Sequence, residues 1–215
     1  MNFIYGFLLV FGVAYVAPGV QSTCHIPDAK IDTPWVDMVR SCTDELKDQV
    51  KMEIGASMTY LAMGAYFARD SVSRPGFSKL FMHAADEERE HAIKLIEYML
   101  MRGDVTQDFQ NLLPAPLTAP KMNWFNGAQA LKDALAKEVE VTTNIRKVIS
   151  NCETPPNAAK NDYHLVDYLT ADFLDEQYRG QRDLAGKYTT LQKMVSSYGP
   201  IGEFLFDKKL LNGEL

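Results

Sequence analysis

Stepped by threes and fours, four stretches of the chain carry an apolar stripe on one face and charged residues on the other. The pattern predicts four long helices: A from Trp35 to Asp70, B from Gly76 to Arg102, C from Trp124 to Cys152 and D from Asp162 to Lys187. A shorter helix E is predicted after Gly199-Pro200, over Ile201 to Leu211. Proline and glycine gather at the joints, in Ser73-Arg74-Pro75-Gly76, Leu113 to Pro120 and Thr154-Pro155-Pro156-Asn157. No segment has strand periodicity and none repeats, so the expected class is all-α.

The joints set the directions. The A–B turn and the loop near Pro155 are short, which makes A antiparallel to B and C antiparallel to D. The B–C connection differs, with about 20 residues from Gly103 to Asn123. At about 3.3 Å per extended residue it spans the full length of a bundle. The expectation is a four-helix bundle with one long crossover, in which A runs antiparallel to C, plus the short C-terminal helix.

Each stripe is broken near its middle. Along A it reads Leu46, Val50, Glu53, Ser57, Tyr60, Gly64, Phe67, and along B Phe77, Phe81, Ala84, Glu88, His91, Leu95, Met99. C reads Trp124, Ala128, Leu131, Leu135, Glu138, Thr142, Ile145, Ile149, and D Val166, Phe173, Gln177, Gly180, Leu184. A buried ionised carboxylate without a partner costs several kcal/mol. Three converging at one level need a cation, and no Lys or Arg lies on the stripes to supply one.

Taken singly, each polar residue has an ordinary explanation. The run Asp86-Glu87-Glu88-Arg89-Glu90-His91 has the composition of a solvated face, and E-x-x-H alone is a weak motif. Glu53 and Glu138 taken alone are boundary residues, and Tyr60 is core. Matching depth on four helices is what those explanations leave out. Glu88 and His91, spaced i, i+3, point the same way and grip one ion from one helix. Carboxylates with a single imidazole favour iron or manganese over a structural zinc site, and the spacing gives Glu88 the bridging role between two ions.

Composition narrows the compartment and the partners. A net charge of -6 argues against nucleic acid, which calls for a basic face. The apolar run from Phe3 to Ala17, followed by Val20 and Ser22 placed for cleavage before Thr23, reads as a secretory leader, although it lacks the usual Lys or Arg. As a membrane anchor it is too short, because Pro18-Gly19 closes it before the roughly 20 apolar residues a span needs. The expected organisation is a leader over 1–22 and one domain over 23–215, with no membrane association once the leader is removed. Secretion makes Cys24, Cys42 and Cys152 disulfide candidates, and an odd number leaves one over.

These residues resemble the ferritin family, specifically its heavy or ferroxidase chains. The resemblance rests on EIGASMTY (53–60), EEREHA (87–92), Glu138, DEQ (175–177) and EFLFDK (203–208). With the leader and extra cysteines, the chain is most similar to the secreted ferritins of insects. Ferritin-like proteins are themselves the standard instance of a di-iron bundle site. By position, the resemblance implies that Glu53, Glu88 and His91 bind a first iron and Glu88 and Glu138 a second, with Glu87, Tyr60 and Gln177 in support. It implies oxidation of Fe(II) by dioxygen and passage of the ferric product into a cage of twenty-four subunits that includes a second, light-type chain.

Within this framework the start of A lies beside the end of C, so Cys42 and Cys152 are expected to pair within the chain and Cys24 to reach another subunit. Two positions depart from the family pattern. Asp167 keeps one channel carboxylate, but Thr170 stands where a second acid is usual; Ile93 replaces a cavity-face carboxylate, while Glu87 and Glu90 remain.

Three other functions compete. A di-iron oxygenase usually carries a second E-x-x-H, whereas helix D offers Glu176-Gln177-Tyr178-Arg179. A light-type chain would not keep Glu53, Glu88, His91 and Glu138 together. A secreted cytokine-like bundle would have no reason to align carboxylates in its core.

Overall fold

The computed structural model describes residues 35, 37–103, 112, 119, 121–153 and 161–215. The expected leader, Cys24, most of the B–C crossover and the loop around Pro155 lie outside the described residues. The elements are α1 (Arg40–Ala68), α2 (Pro75–Met101), α3 (Gly127–Glu153), α4 (Tyr163–Tyr168), a π-helical turn (Leu169–Leu174), α5 (Asp175–Tyr198) and α6 (Pro200–Leu211). Among the described residues there are no strands, and no helix is long and apolar enough to cross a membrane. The all-α bundle with a short fifth helix is what the periodicity predicts; α4, the π turn and α5 together form its fourth helix.

Three boundaries differ from the sequence reading by more than two residues. Helix A begins at Arg40, not Trp35. The preceding residues are held extended: Asp37 accepts a 2.6 Å hydrogen bond from Arg102, and Val39 has φ -72°, ψ 124°. The third helix begins at Gly127 because Asn126 caps it, its side chain accepting from Gln129 N at 2.8 Å while Gln129 reaches back to Phe125 N. The fourth runs on to Tyr198, since no breaker precedes Gly199 and Leu191 is buried against the bundle.

The π turn corrects the stripe expected on D. Leu165, Leu169, Phe173 and Gln177 are buried, whereas Val166 is only half-buried and Gly180 is exposed. Residues four apart drift around a straight α-helix of 3.6 residues per turn. The wider π turn absorbs that drift and keeps this set facing inward.

Both ends of the bundle are tied. At one end α6 acts as a clasp. Asp207 Oδ1 accepts from Gly76 N (2.8 Å) and Phe77 N (3.0 Å), and Glu203 accepts from Gly127 N (3.0 Å). Two carboxylates of one short helix thus satisfy orphan amides at the starts of α2 and α3, where the helix dipoles favour negative charge. The approach requires glycine, because a Cβ at Gly76 would lie 1.9 Å from the Asp207 carbonyl oxygen. That α2 and α3 both start here makes them parallel, as a full-length crossover demands. Beneath the clasp, Phe67, Phe77, Phe81 and Phe206 pack ring on ring.

At the opposite end Cys42 and Cys152 form the disulfide, with Cα atoms 5.5 Å apart, and α1 is antiparallel to α3. Asp162 N donates to Cys152 O at 3.0 Å, and Arg102 joins Asp162 (2.9 Å) to Asp37. The disulfide closes a loop of sequence separation 110, which contributes about 5 kcal/mol in the chain-entropy model. The Cys42→Ser/Cys152→Ser protein is therefore expected to unfold at clearly lower denaturant than wild type. A stability loss below about 1 kcal/mol would show that the packing at this end holds without the bond.

Candidate metal centre

Glu53, Glu88 and His91 come together in the bundle core. One ligand atom of each lies within 4.8 Å of the other two, and their exposures are 0%, 4% and 6%. Each sits in the middle of a long helix with the stripe above and below it, so the packing that buries the stripe delivers them to one level. His91 Nδ1 lies 3.3 Å from Glu88 Oε2, its Nε2 lies 3.3 Å from Glu176 Oε1, and its ring packs against Phe173. Glu138, on α3, stands outside this tight trio but within electrostatic reach of Glu88.

Burial and mutual repulsion govern the charges. Burial, and then the Glu88 charge, pushes the Glu53 carboxyl well above the usual range. The same two causes raise Glu138 to about 8. Burial acts in the same sense on Glu88, but hydrogen bonds headed by the one from His91 outweigh it and hold that carboxyl low. Burial opposes the imidazolium of His91, yet Glu88 and Glu176 raise its pKa overall. Without metal, Glu88 and His91 thus each favour the other's charged form, flanked by two carboxyls that favour their protons.

Neutral side chains hold the two flanking carboxyls. Gln49 Nε2 donates to Glu53 Oε1 at 2.7 Å, while Glu53 Oε2 is buried with no hydrogen-bond partner among the described residues. The Tyr60 hydroxyl donates to Glu138, and burial followed by the Glu138 charge pushes that phenol well above its ordinary pKa. Thr142 Oγ1 donates to Gln177 Oε1 at 2.9 Å and itself accepts from Gln181 at 2.5 Å. With its oxygen occupied, Gln177 turns its NH2 to Glu138, whose pKa that contact lowers.

The expected residues separate into groups. Glu53, Tyr60, Glu88, His91, Glu138 and Gln177 are all buried and meet at mid-height. Glu87 is exposed and paired with His83 at 3.1 Å, away from the trio. Asp167 and Thr170 are exposed on α4 and the π turn. Between α2 and α5 a cleft of about 1130 Å³ is lined by Glu88, His91 and Glu138 and by exposed Glu87, Asp172 and Glu176.

Sequence reasoning missed Gln49, the hydrogen-bonding roles of Thr142 and Gln181, and the contact of Glu176 with His91. Gln49 lies four residues before Glu53, one turn away on the same face, and that spacing was the available signal. The Glu176 contact had none, because it depends on the π turn.

Known proteins match this chain over most of its length. A model of the ferritin-like domain matches residues 43–194. The chain is 52% identical to the ferritin heavy chain of Trichoplusia ni over 207 residues, covering 95% of this chain and 96% of that one. It is 51% identical to the ferritin heavy chain of Drosophila melanogaster over 203 residues, covering 94% and 97%. The crystal structure of Trichoplusia ni secreted ferritin superposes with a TM-score of 0.83 at 52% identity, covering 89% of this chain and 98% of that one. Helix order, buried carboxylate–imidazole centre and relatives of matching length together establish that the chain belongs to the ferritin family.

Proposed function

We propose that the protein is a secreted, heavy-type ferritin subunit that oxidises Fe(II) with dioxygen and passes the ferric product to storage inside a cage. The observation that carries this reading is the buried Glu53–Glu88–His91 group, whose ligand atoms lie within 4.8 Å beside the Tyr60–Glu138 pair. A metal cation is the compensating charge such a group lacks, and the O/N donor set suits iron. Secretion is in keeping with the heavy-chain relatives and the secreted ferritin of Trichoplusia ni, and the leader over 1–22 would be removed on export.

On this reading Glu53, Glu88 and His91 bind the first Fe(II), Glu88 bridges, and Glu138 completes a second position. Tyr60 and Gln177 orient Glu138; Glu87, exposed on the cleft, acts on iron in transit. Two Fe(II) held together supply two electrons to dioxygen without releasing a one-electron oxygen radical. The cage would contain twenty-four subunits with a light-type partner chain, joined through Cys24. With Ile93 on the cavity face, much of the mineral nucleation falls to that partner.

Glu88→Ala with His91→Ala is expected to abolish rapid Fe(II) oxidation while leaving folding and assembly intact, because losing the Glu88–His91 pair is offset by removing the Glu88 charge that repels Glu53 and Glu138 in the metal-free state. Stopped-flow oxidation by assembled mutant protein decides the matter. A rate near that of wild type would place the chemistry elsewhere.

Uptake through the channel should depend less on carboxylates than in a ferritin with two acid rings, since Thr170 offers a neutral oxygen where charge would focus the field. Asp167→Asn should still slow the initial oxidation rate. An unchanged rate in assembled cages excludes this route.

Protons compete with metal at Glu138. Because the folded pKa of about 8 lies above the ordinary value, the folded state binds the proton between the two values. Stability of the metal-free protein therefore falls as pH rises through that window. Metal binding must release that proton. Calorimetric titration with redox-inert Zn(II) near pH 7, in buffers of different ionisation enthalpy, should show fewer protons released by Glu138→Gln than by wild type. Equal release would assign the high pKa to another group.

A further inference from the structure

Glu53 is the most deeply buried of the acidic residues at the centre, and its two oxygens are treated differently. Oε1 accepts a 2.7 Å hydrogen bond from Gln49 Nε2, while Oε2 has no partner among the described residues. Gln49 is itself fully buried. Its amide has one donating and one accepting end, and which end meets Glu53 depends on what holds the other. Asn144, one helix away on α3, donates from Nδ2 to Gln49 Oε1 at 2.6 Å. That bond fixes the sense of the amide. An ionised carboxylate only accepts, so the metal-competent Glu53 requires the NH2 end.

We infer that Gln49 and Asn144 are positioning residues for the metal centre: Asn144 orients the Gln49 amide, which occupies Glu53 Oε1 and leaves Oε2 to the metal. Neither residue touches the metal. Asn144 acts through Gln49, and Gln49 through Glu53, as outer hydrogen-bond partners of metal ligands commonly do. The alternative is a polar staple between α1 and α3 with no bearing on the centre.

The two accounts order the variants of Asn144 differently. Asn144→Asp keeps the shape but replaces the donor by an acceptor. It attracts the Gln49 NH2 and turns Gln49 Oε1 onto Glu53, oxygen against oxygen. Asn144→Ala frees the amide without reversing it. Orientation therefore ranks wild type above Ala and Ala above Asp, whereas a staple valued for its packing ranks Asp near wild type and Ala lowest.

The measurement is calorimetric titration of assembled metal-free protein with Co(II), together with the visible ligand-field spectrum of the bound ion. Binding that persists in Glu88→Ala/His91→Ala is subtracted as belonging to other sites. Affinity at the centre should fall on the order of 10- to 100-fold in Asn144→Asp, the range for outer partners of metal ligands, with a changed spectrum and a smaller loss in Asn144→Ala. Should Asn144→Asp fail to fold, Gln49→Met supplies the test, since it preserves volume and removes the donor; it too should weaken Co(II) binding and alter the spectrum. Wild-type affinity and spectrum in the folded Asp variant, or in Gln49→Met, would overturn the inference, as would a larger loss in Ala than in Asp. The inference rests on the metal centre proposed above, and the failures are distinguishable. If wild type and Glu88→Ala/His91→Ala bind Co(II) alike, the centre itself is wrong and both readings fall.

Discussion

Everything in this bundle answers to one electrostatic constraint: three glutamates share a buried level of a four-helix core. Each would be expensive there as an isolated anion. Without metal the protein meets that cost in two ways. It sets Glu88 against His91, each favouring the other's charged form, and it leaves Glu53 and Glu138 with raised pKa values, so that charge is withdrawn. Neither arrangement suits a structural core, in which an apolar side chain would serve better. A divalent cation resolves the conflict by replacing protons and the imidazolium charge together. The core is thus built for a charge that arrives from outside.

Such a level works only if four helices keep their relative heights, since a shift of one residue is 1.5 Å along an axis. The bundle secures this at its ends. At one, Asp207 and Glu203 of α6 hold the first amides of α2 and α3. At the other, the Cys42–Cys152 bond and the Arg102–Asp162 pair join α1, α2, α3 and the start of α4. Mid-height positions are therefore set from both directions, on rigid helices and not on loops. The π turn completes the arrangement by letting Phe173 and Gln177 face inward in sequence, one on His91 and the other on Glu138.

The helices and the buried polar residues of the centre were legible in the sequence because both follow from one-dimensional periodicity. Glu53, Glu88, His91 and Glu138 each replace an apolar residue at a stripe position, and a stripe position is a depth. What stayed hidden does not project onto a single helix. Gln49 reads as an ordinary polar residue until Asn144, 95 positions later, is placed beside it. A straight helix D would turn Gly180 inward and keep Glu176 away from the centre; the register after Leu174 is set by the π turn. Trp35 fits the apolar rhythm of helix A, yet the chain before Arg40 is held by Arg102 from another helix. Tertiary partners override local pattern at these points.

The centre is asymmetric, and on the ferroxidase reading that asymmetry gives the reaction a direction. Glu53, Glu88 and His91 offer a tight, buried trio with a free carboxylate oxygen. Glu138 has its Oε1 committed to Tyr60 and borders the cleft between α2 and α5. Helix D contributes Gln177, a hydrogen-bonding amide, where a retained di-iron centre usually has a second Glu and His. On that reading one ion is held firmly and the other weakly, and Glu88, His91 and Glu138 all border the cleft. Glu176 touches His91 at the inner edge of the cleft, and Glu87 and Asp172 line it further. Exposed carboxylates thus continue from His91 along the cleft. An oxidase that kept its metals would gain nothing from such a row of carboxylates, whereas a protein whose substrate is the metal needs a path for the oxidised ion to leave.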